Sequence, residues 1–299
     1  MIVAVIVIYH PDLDLLDRLV RSVLGQVEMI FAVDNTPGSS DKIAAFLNQY
    51  DEPITYKPLR DNMGIAYAQN VGIREAINQG CTHVLLLDQD SALSPGMVKH
   101  MLEAEAELLR NGKRVAAVGP LIVDRTVNKP AQAIRYGYLQ IHKILINRSS
   151  HLVVESDCLL ASGSLIRIAV INDVGYMLEE LFIDWVDTEW CLRARFNGYR
   201  SYIIPFARMD HSLGDTSASA FGRSINLHND SRHYYIVRNA TYLLKLKTMG
   251  LPWRIIAMLR IIPGSVIKYS WFSKRKTKAF ISMLSAIRCG ISCKLGRVD

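Results

Sequence analysis

The chain of 299 residues predicts an α/β fold organised on a mostly parallel sheet. Three observations carry that expectation. Short β-branched apolar runs recur along the first half, each closed by turn residues. Stretches with helical apolar spacing lie between them, and the strand–helix–strand spacing fits the crossover that joins two parallel strands. Half of the residues are hydrophobic, enough for a sizeable core and too many for a disordered chain. Cys81, Cys158, Cys191, Cys289 and Cys293 are odd in number and form no CxxC pair. That argues against a disulfide framework or a zinc site and fits a reducing compartment.

Ile2–Tyr9 is a continuous β-branched run, as a strand covered on both faces requires. No basic segment or small-residue cleavage site precedes it, so no signal peptide is expected. His10-Pro11 stops the strand, and Asp12 is placed to cap a helix with apolar positions at Leu13, Leu16, Leu19, Val20 and Val23. Met29–Val33 is a second strand, ending in the turn residues Asp34-Asn35-Thr36-Pro37-Gly38. Asp41–Tyr50 reads as a helix and Ile54–Tyr56 as a short strand. Asn62 and Gly64 suit a turn, with a helix after them to about Gln79. A helix start behind a glycine is either an anion or nucleotide site or an ordinary loop–helix junction.

His83–Leu87 is a buried strand that stops at Asp88-Gln89-Asp90. Ligands of an open α/β sheet bind at the carboxyl ends of its strands. Two carboxylates there supply hard oxygen ligands for Mg²⁺ or Mn²⁺; the plain alternative is a solvated acidic loop. Gly96–Asn111 reads as a helix and Val115–Pro120 as a buried strand, followed by an irregular region to about Ser150. Cys158–Ile166 carries small residues where a strand would carry bulk, so either a packed helix or a ligand comes close there. A helix starting near Asp187 puts that aspartate in its first turn and aims Arg193 back into the body. Asp187 is then either a cap or, beside Trp185 and Trp190, a carboxylate raised toward the pKa of a working base. Tyr199–Ile204 is a strand and Asp210–Asp215 a polar loop, in which His211 is either structural or a contact to a metal or phosphate.

In order, these features resemble the inverting glycosyltransferases of the GT-A type, in particular the bacterial rhamnosyltransferase-like branch, over residues 3–245. The motifs that carry the resemblance are Tyr9-His10-Pro11, Val33-Asp34-Asn35, Asn62-x-Gly64-Ile65-Ala66-x-Ala68-x-Asn70 and Asp88-x-Asp90. They continue with Ser162-Gly163, Asp187-x-Glu189-Trp190 with Arg193, His211-x-x-Gly214 and Tyr234-Tyr235-x-x-Arg238-Asn239. The resemblance implies a GT-A domain over 1–245, with a nucleotide-sugar half over 1–120 and an acceptor half over 121–245. A basic helical segment over 246–299 is appended to it. Asp34 matches the acid that receives the pyrimidine ring N–H, and Asn62, Gly64 and Asn70 match the segment around the nucleotide and its phosphates. Asp88 and Asp90 match the pair for a divalent ion, Mg²⁺ or Mn²⁺, with Asp90 the more direct ligand and Asp88 also facing the ribose. His211 matches a late contact to that ion or the diphosphate, Asp187 the catalytic base, and Arg193 the basic residue that follows it by six positions. One departure is that Val186 stands where the wider family often carries an acid, which leaves Asp184 or Glu189 to share the acceptor site. The implied donor is dTDP-L-rhamnose, with a UDP-hexose the alternative, and the implied product is a surface polysaccharide such as O-antigen.

The net charge of +7 belongs to the tail. Residues 251–299 hold ten Lys or Arg against the single acid Asp299, while residues 1–250 carry a net charge of −2. A basic whole-chain balance is therefore no reason to expect nucleic acid as a partner. Arg254, Arg260, Pro263 and Lys268 interrupt the apolar tail and argue against a spanning helix. Trp253, Tyr269, Trp271 and Phe272 beside Lys274-Arg275-Lys276 and Lys278 read instead as a segment lying on the inner face of the cell membrane, near a lipid-linked glycan acceptor. The alternatives are a helical pair packed on the body and a contact between two copies of the chain. A nucleotidyltransferase would need a glycine-rich basic loop after its first strand, which Tyr9-His10-Pro11 does not supply. A binding module built on the tail alone would leave the acids of the body unexplained.

Overall fold

The computed structural model describes all residues except 39–40, 125–129, 149, 212–216, 221–222, 227–229, 274 and 299; at 124, 211, 217–220, 223–226 and 230–231 it describes the backbone alone. The first strand, β1 (Ile2–Ile8), is buried along its whole length. Helix α1 (Leu13–Val23) follows, its first turn closed by Asp12, whose Oδ1 accepts the N–H groups of Asp14 and Leu15. Then come β2 (Met29–Asp34), α2 (Asp41–Leu47), β3 (Ile54–Pro58), α3 (Ile65–Asn78) and β4 (His83–Asp88). These strands lie in the order β3-β2-β1-β4, all parallel. In register, Ile8 pairs with Asp34 and Val7 with Asp88. Two carboxylates thus flank the carboxyl end of β1, where such a sheet binds ligands.

The second half widens the sheet. It comprises β5 (Ala92–Leu93), α4 (Met97–Arg110), β6 (Val115–Asp124), the hairpin β7 (Ala133–Tyr136) and β8 (Ile141–Ile144), β9 (Val154–Ser156), β10 (Leu165–Arg167), α5 (Ile168–Val174), α6 (Val186–Phe196) and β11 (Arg200–His211). Strand β10 runs antiparallel between β4 and β6, and β11 runs parallel to β6 on its far side. A second hairpin, β12 (Ser217–Ala220) and β13 (Arg223–Asn226), precedes α7 (Asp230–Leu243). Apolar clusters fill both faces of the sheet.

Some sequence expectations are corrected. Asp210 and His211 belong to β11, paired with Val123 and Asp124, rather than to a loop; past an irregularity between Ile204 and Arg208, β6 carries β11 on to His211. Of Cys158–Ile166, only Leu165 and Ile166 lie in a strand. The small residues before them form a turn that admits the Pro120 ring, since a Cβ on Gly163 would meet its Cδ and Cγ at 2.8 Å. The tail forms α8 (Leu251–Ile256), a π-helical turn over 257–261, α9 (Ile262–Phe272) and α10 (Lys276–Ile291). Leu251–Phe272 is long and apolar enough to cross a membrane by length and composition, with a mean hydropathy of 1.3. One side of it is packed: Trp253, Ile256, Ala257, Val266 and Tyr269 are buried, and several of them join the same cluster as α6 and α7.

Candidate active site

The floor of the site is built from the ends of β1, β2 and β4. Asp34 is fully buried, with Oδ1 accepting the Thr36 N–H at 2.9 Å and Oδ2 the Tyr56 hydroxyl at 2.7 Å. Asn35 and Asn62 continue this edge: the Asn35 amide donates to Asn62 Oδ1 at 3.0 Å, which also accepts the Gly64 N–H at 3.1 Å. Contact between Asp34 and a nucleotide base requires this floor to move locally.

Gln89 and Ser162 hold the Asp88-Gln89-Asp90 turn. The Gln89 amide exchanges two hydrogen bonds with the Tyr9 backbone, at 2.8 and 3.0 Å, which locks the turn to the end of β1. Ser162 Oγ accepts the Asp88 N–H at 3.0 Å and lies 2.7 Å from Ser91 Oγ. Asp88 and Asp90 are half-buried. Among the described residues no group of three or more His, Cys, Asp or Glu is placed to hold a metal ion by itself. Two carboxylates at a strand end nonetheless fit a divalent ion of the Mg²⁺ kind, which takes one or two carboxylates and completes its shell with water and phosphate oxygens. The side chain of His211 lies outside the described residues.

Ser162 also faces the other way. It lines a mainly apolar cavity of about 220 Å³ together with Leu121, Leu159, Ile203 and Asp187. Asp187 sits in the first turn of α6, and its Oδ1 accepts the Thr188 N–H at 2.7 Å. Burial pushes the Asp187 carboxyl above the usual aspartate range, against the pull of hydrogen bonds from Thr188 and Ala161. Asp184, three residues earlier, is raised by burial to about 6 although Arg232 Nε stands 3.1 Å from it. Burial likewise raises the thiols of Cys158 and Cys191, the latter to about 12, so both stay protonated beside the acid.

Other residues singled out from the sequence lie behind these groups. Arg193 donates to both carboxylate oxygens of the buried Glu189, at 2.8 and 3.0 Å, and to the carbonyls of Val174 and Tyr176. Its guanidinium ties α6 to the segment after α5. The Asn70 amide donates to the Met177 carbonyl and to Glu179, and its oxygen accepts the Met177 N–H at 3.0 Å. Gly64, at φ 86°, faces Phe182: a Cβ there would lie 2.6 Å from Phe182 Cδ2 and 2.7 Å from its carbonyl oxygen. The structure therefore gathers Asp34, Asn62 and Asp88 along the strand ends and sets Asp187 across the Ser162 turn. It places Gly64, Asn70 and Arg193 at the seam behind them. The sequence marks Ser162 only as part of a small-residue motif, and the role of Gln89, which depends on its contact with the distant Tyr9, carries no local sequence signal.

Comparison with known proteins shows the family and the fold. Residues 4–163 match the sequence model of Glycosyl transferase family 2. The dTDP-rhamnosyl transferase RfbF of Shigella flexneri is 34% identical over 251 residues, covering 82% of this chain and 80% of that protein. Among solved structures, S. aureus TarS 1-349 shares the fold with a TM-score of 0.57 at 16% identity, covering 97% of this chain and 81% of that one. GalNAc-T7 with UDP, GalNAc and Mn²⁺ aligns with a TM-score of 0.59 at 13% identity, over 89% of this chain and 55% of that one. Matched in sequence over more than half its length and in fold over nearly all of it, the chain belongs to glycosyl transferase family 2.

Proposed function

We propose that this enzyme transfers L-rhamnose from dTDP-L-rhamnose to a hydroxyl of a lipid-linked glycan by a single displacement with inversion. The observation that carries the reading is the position of Ser162. Its hydroxyl holds the acidic turn, and its other side borders the cavity walled by Asp187. Ser162 thus links the acidic turn, which it holds from one side, to the cavity that Asp187 lines. The Shigella relative, a dTDP-rhamnosyl transferase by name, supports the donor.

Asp88 and Asp90 would hold a divalent ion, Mg²⁺ or Mn²⁺, with His211 as a third contact. Bound there, the ion offsets the negative charge that grows on the departing diphosphate. Asp34 keeps a second lone pair on each oxygen for a pyrimidine N–H. Asp187 takes the proton of the acceptor hydroxyl while its oxygen attacks the anomeric carbon, and the bond to the diphosphate breaks on the opposite face. Burial suits the acid to this task, because a base whose pKa lies nearer the working pH accepts the proton more effectively. Gly64, Asn70 and Arg193 serve the donor and base from behind by fixing the backbone that frames them. Calorimetric titration with dTDP-L-rhamnose, UDP-glucose and UDP-galactose, with and without Mn²⁺, tests the donor. Selective binding of a UDP-hexose overturns the assignment.

The tail supports attachment to the inner membrane face. Met258, Leu259, Ile267, Trp271, Phe280 and Ile281 are exposed, and Lys276 stands 5.2 Å from the Trp271 ring. Each basic side chain near an anionic leaflet contributes about 1 kcal/mol. Co-sedimentation with phosphatidylglycerol vesicles but not with phosphatidylcholine vesicles is expected; equal recovery without vesicles removes the proposal.

A further inference from the structure

The turn that leads into α6 is strained. Phe182 adopts φ 66° and ψ −63°. The Ile183 N–H reaches back to the Leu181 carbonyl at 2.8 Å, making a γ-turn of the rare positive-φ kind. Asp184 and Trp185 follow at φ 61° and 67°. Three L-residues in left-handed φ space within four positions persist only where their surroundings over-determine them.

Two helices supply those surroundings. From α3, Gly64 leaves room for Phe182, the Ile65 N–H donates to the Phe182 carbonyl at 2.8 Å, and Asn70 brackets Met177. From α7, the Asn239 amide nitrogen lies 2.9, 2.8 and 3.2 Å from the carbonyl oxygens of Leu181, Ile183 and Asp184. Its two hydrogens are shared among three acceptors turned inward by the strained backbone. Arg238 Nε donates to Asn239 Oδ1 at 2.9 Å, which orients that amide, and Nη2 donates to the Leu181 carbonyl at 3.1 Å. Its remaining arm reaches the Gly296 carbonyl at 2.5 Å, and the Gly296 N–H in turn donates to Glu180. Arg238 is fully buried, and among the described residues its hydrogen-bond partners are all carbonyl or amide oxygens. Burying a guanidinium without a carboxylate is costly, so these oxygens account for its presence. Trp185 adds a bond from its indole N–H to the Ile236 carbonyl at 3.0 Å.

We propose that Arg238 and Asn239 form a carbonyl clamp that holds the left-handed turn 181–185 and so sets Asp187 against its cavity. They are positioning residues, and the assignment rests on Asp187 being the base. A misplacement of about 1 Å at a reacting group can cost about 10²-fold in rate. The test is steady-state transfer by full-length Asn239→Ala and Asn239→Asp, with Asp187→Asn and the Asp187→Asn/Asn239→Ala double variant beside them. The expected result is a kcat lower by roughly 10- to 100-fold and a donor KM within about twofold. The second loss should vanish in the double variant, because a clamp that acts through the base has nothing left to act on. Wild-type turnover by Asp187→Asn would show that the base is misassigned. A crippled Asp187→Asn alongside cooperatively unfolding Asn239 variants with undiminished kcat, or losses that multiply in the double variant, would overturn the clamp itself. If Asn239→Ala fails to fold, Arg238→Lys, which keeps the charge and shortens the fork, is judged by the same split.

Discussion

Gly64→Ala separates two accounts of the motif around Asn62. If Gly64 serves by letting a nucleotide phosphate approach, the substitution raises the donor KM. If it serves the seam with Phe182, the fold and kcat suffer first. Gly64 has φ 86° and ψ 157°, a region that costs an L-residue about 1–3 kcal/mol. The added Cβ would also lie 2.6 Å from Phe182 Cδ2, 2.7 Å from its carbonyl oxygen and 2.9 Å from its Cα. Two of those three atoms are backbone, so a rotamer change cannot relieve the overlap, and overpacking of this kind costs about 1–3 kcal/mol. Together the terms predict a loss of about 2–6 kcal/mol. At about 2–4 °C per kcal/mol for a domain near this size, the expected drop in Tm is on the order of 5–20 °C. Differential scanning calorimetry and initial-rate transfer below the lowered Tm measure both consequences. An unchanged Tm with a donor KM raised tenfold would refute the seam and restore Gly64 to the phosphates.

Other outcomes follow from the same geometry. Asp187→Asn should retain donor affinity by calorimetry and lose transfer by about 10²–10⁴-fold, the usual worth of a general base. Asp90→Ala should abolish the response of nucleoside diphosphate release to added Mg²⁺ or Mn²⁺; a variant that still responds contradicts the ligand assignment. Asp184 is raised from the ordinary aspartate value of 3.8 to about 6, so the folded chain holds a proton that the unfolded chain releases. Its contribution to stability is therefore intact below about pH 4 and is lost as the pH climbs toward about 6. Urea unfolding across that window should show stability falling with pH, with a smaller slope in Asp184→Asn.

Which features were legible from the sequence depends on how local their causes are. The β1 run, the Asp12 cap and the acids at Asp88 and Asp90 are fixed by neighbours a few residues away, and each was readable in place. Placing Asp187 in the first turn of a helix was also a local inference, supported by the helical spacing after it. Gly64 and Asn70 were harder, because the groups they meet, Phe182 and Met177, lie more than a hundred residues downstream. The extension of β11 through His211 depends on its pairing with β6, which a polar Asp-His-Ser sequence does not announce. The tail helix runs past Pro263, with a π-helical turn just before it. Such turns are rare bulges inside α-helices, and nothing in the apolar spacing marks one.

The seam at residues 177–185 also fixes when the enzyme becomes complete. Its turn is unfavourable alone and takes its shape only between α3 and α7, one well upstream and the other well downstream. Both sets of contacts form only once the loop-closure entropy of the intervening segments has been met. A refolding chain that has recovered its strands but not these contacts would still lack the turn that precedes α6. Activity should lag behind, returning only with the last long-range contacts, so a chain caught in that interval would be folded in outline and silent in function.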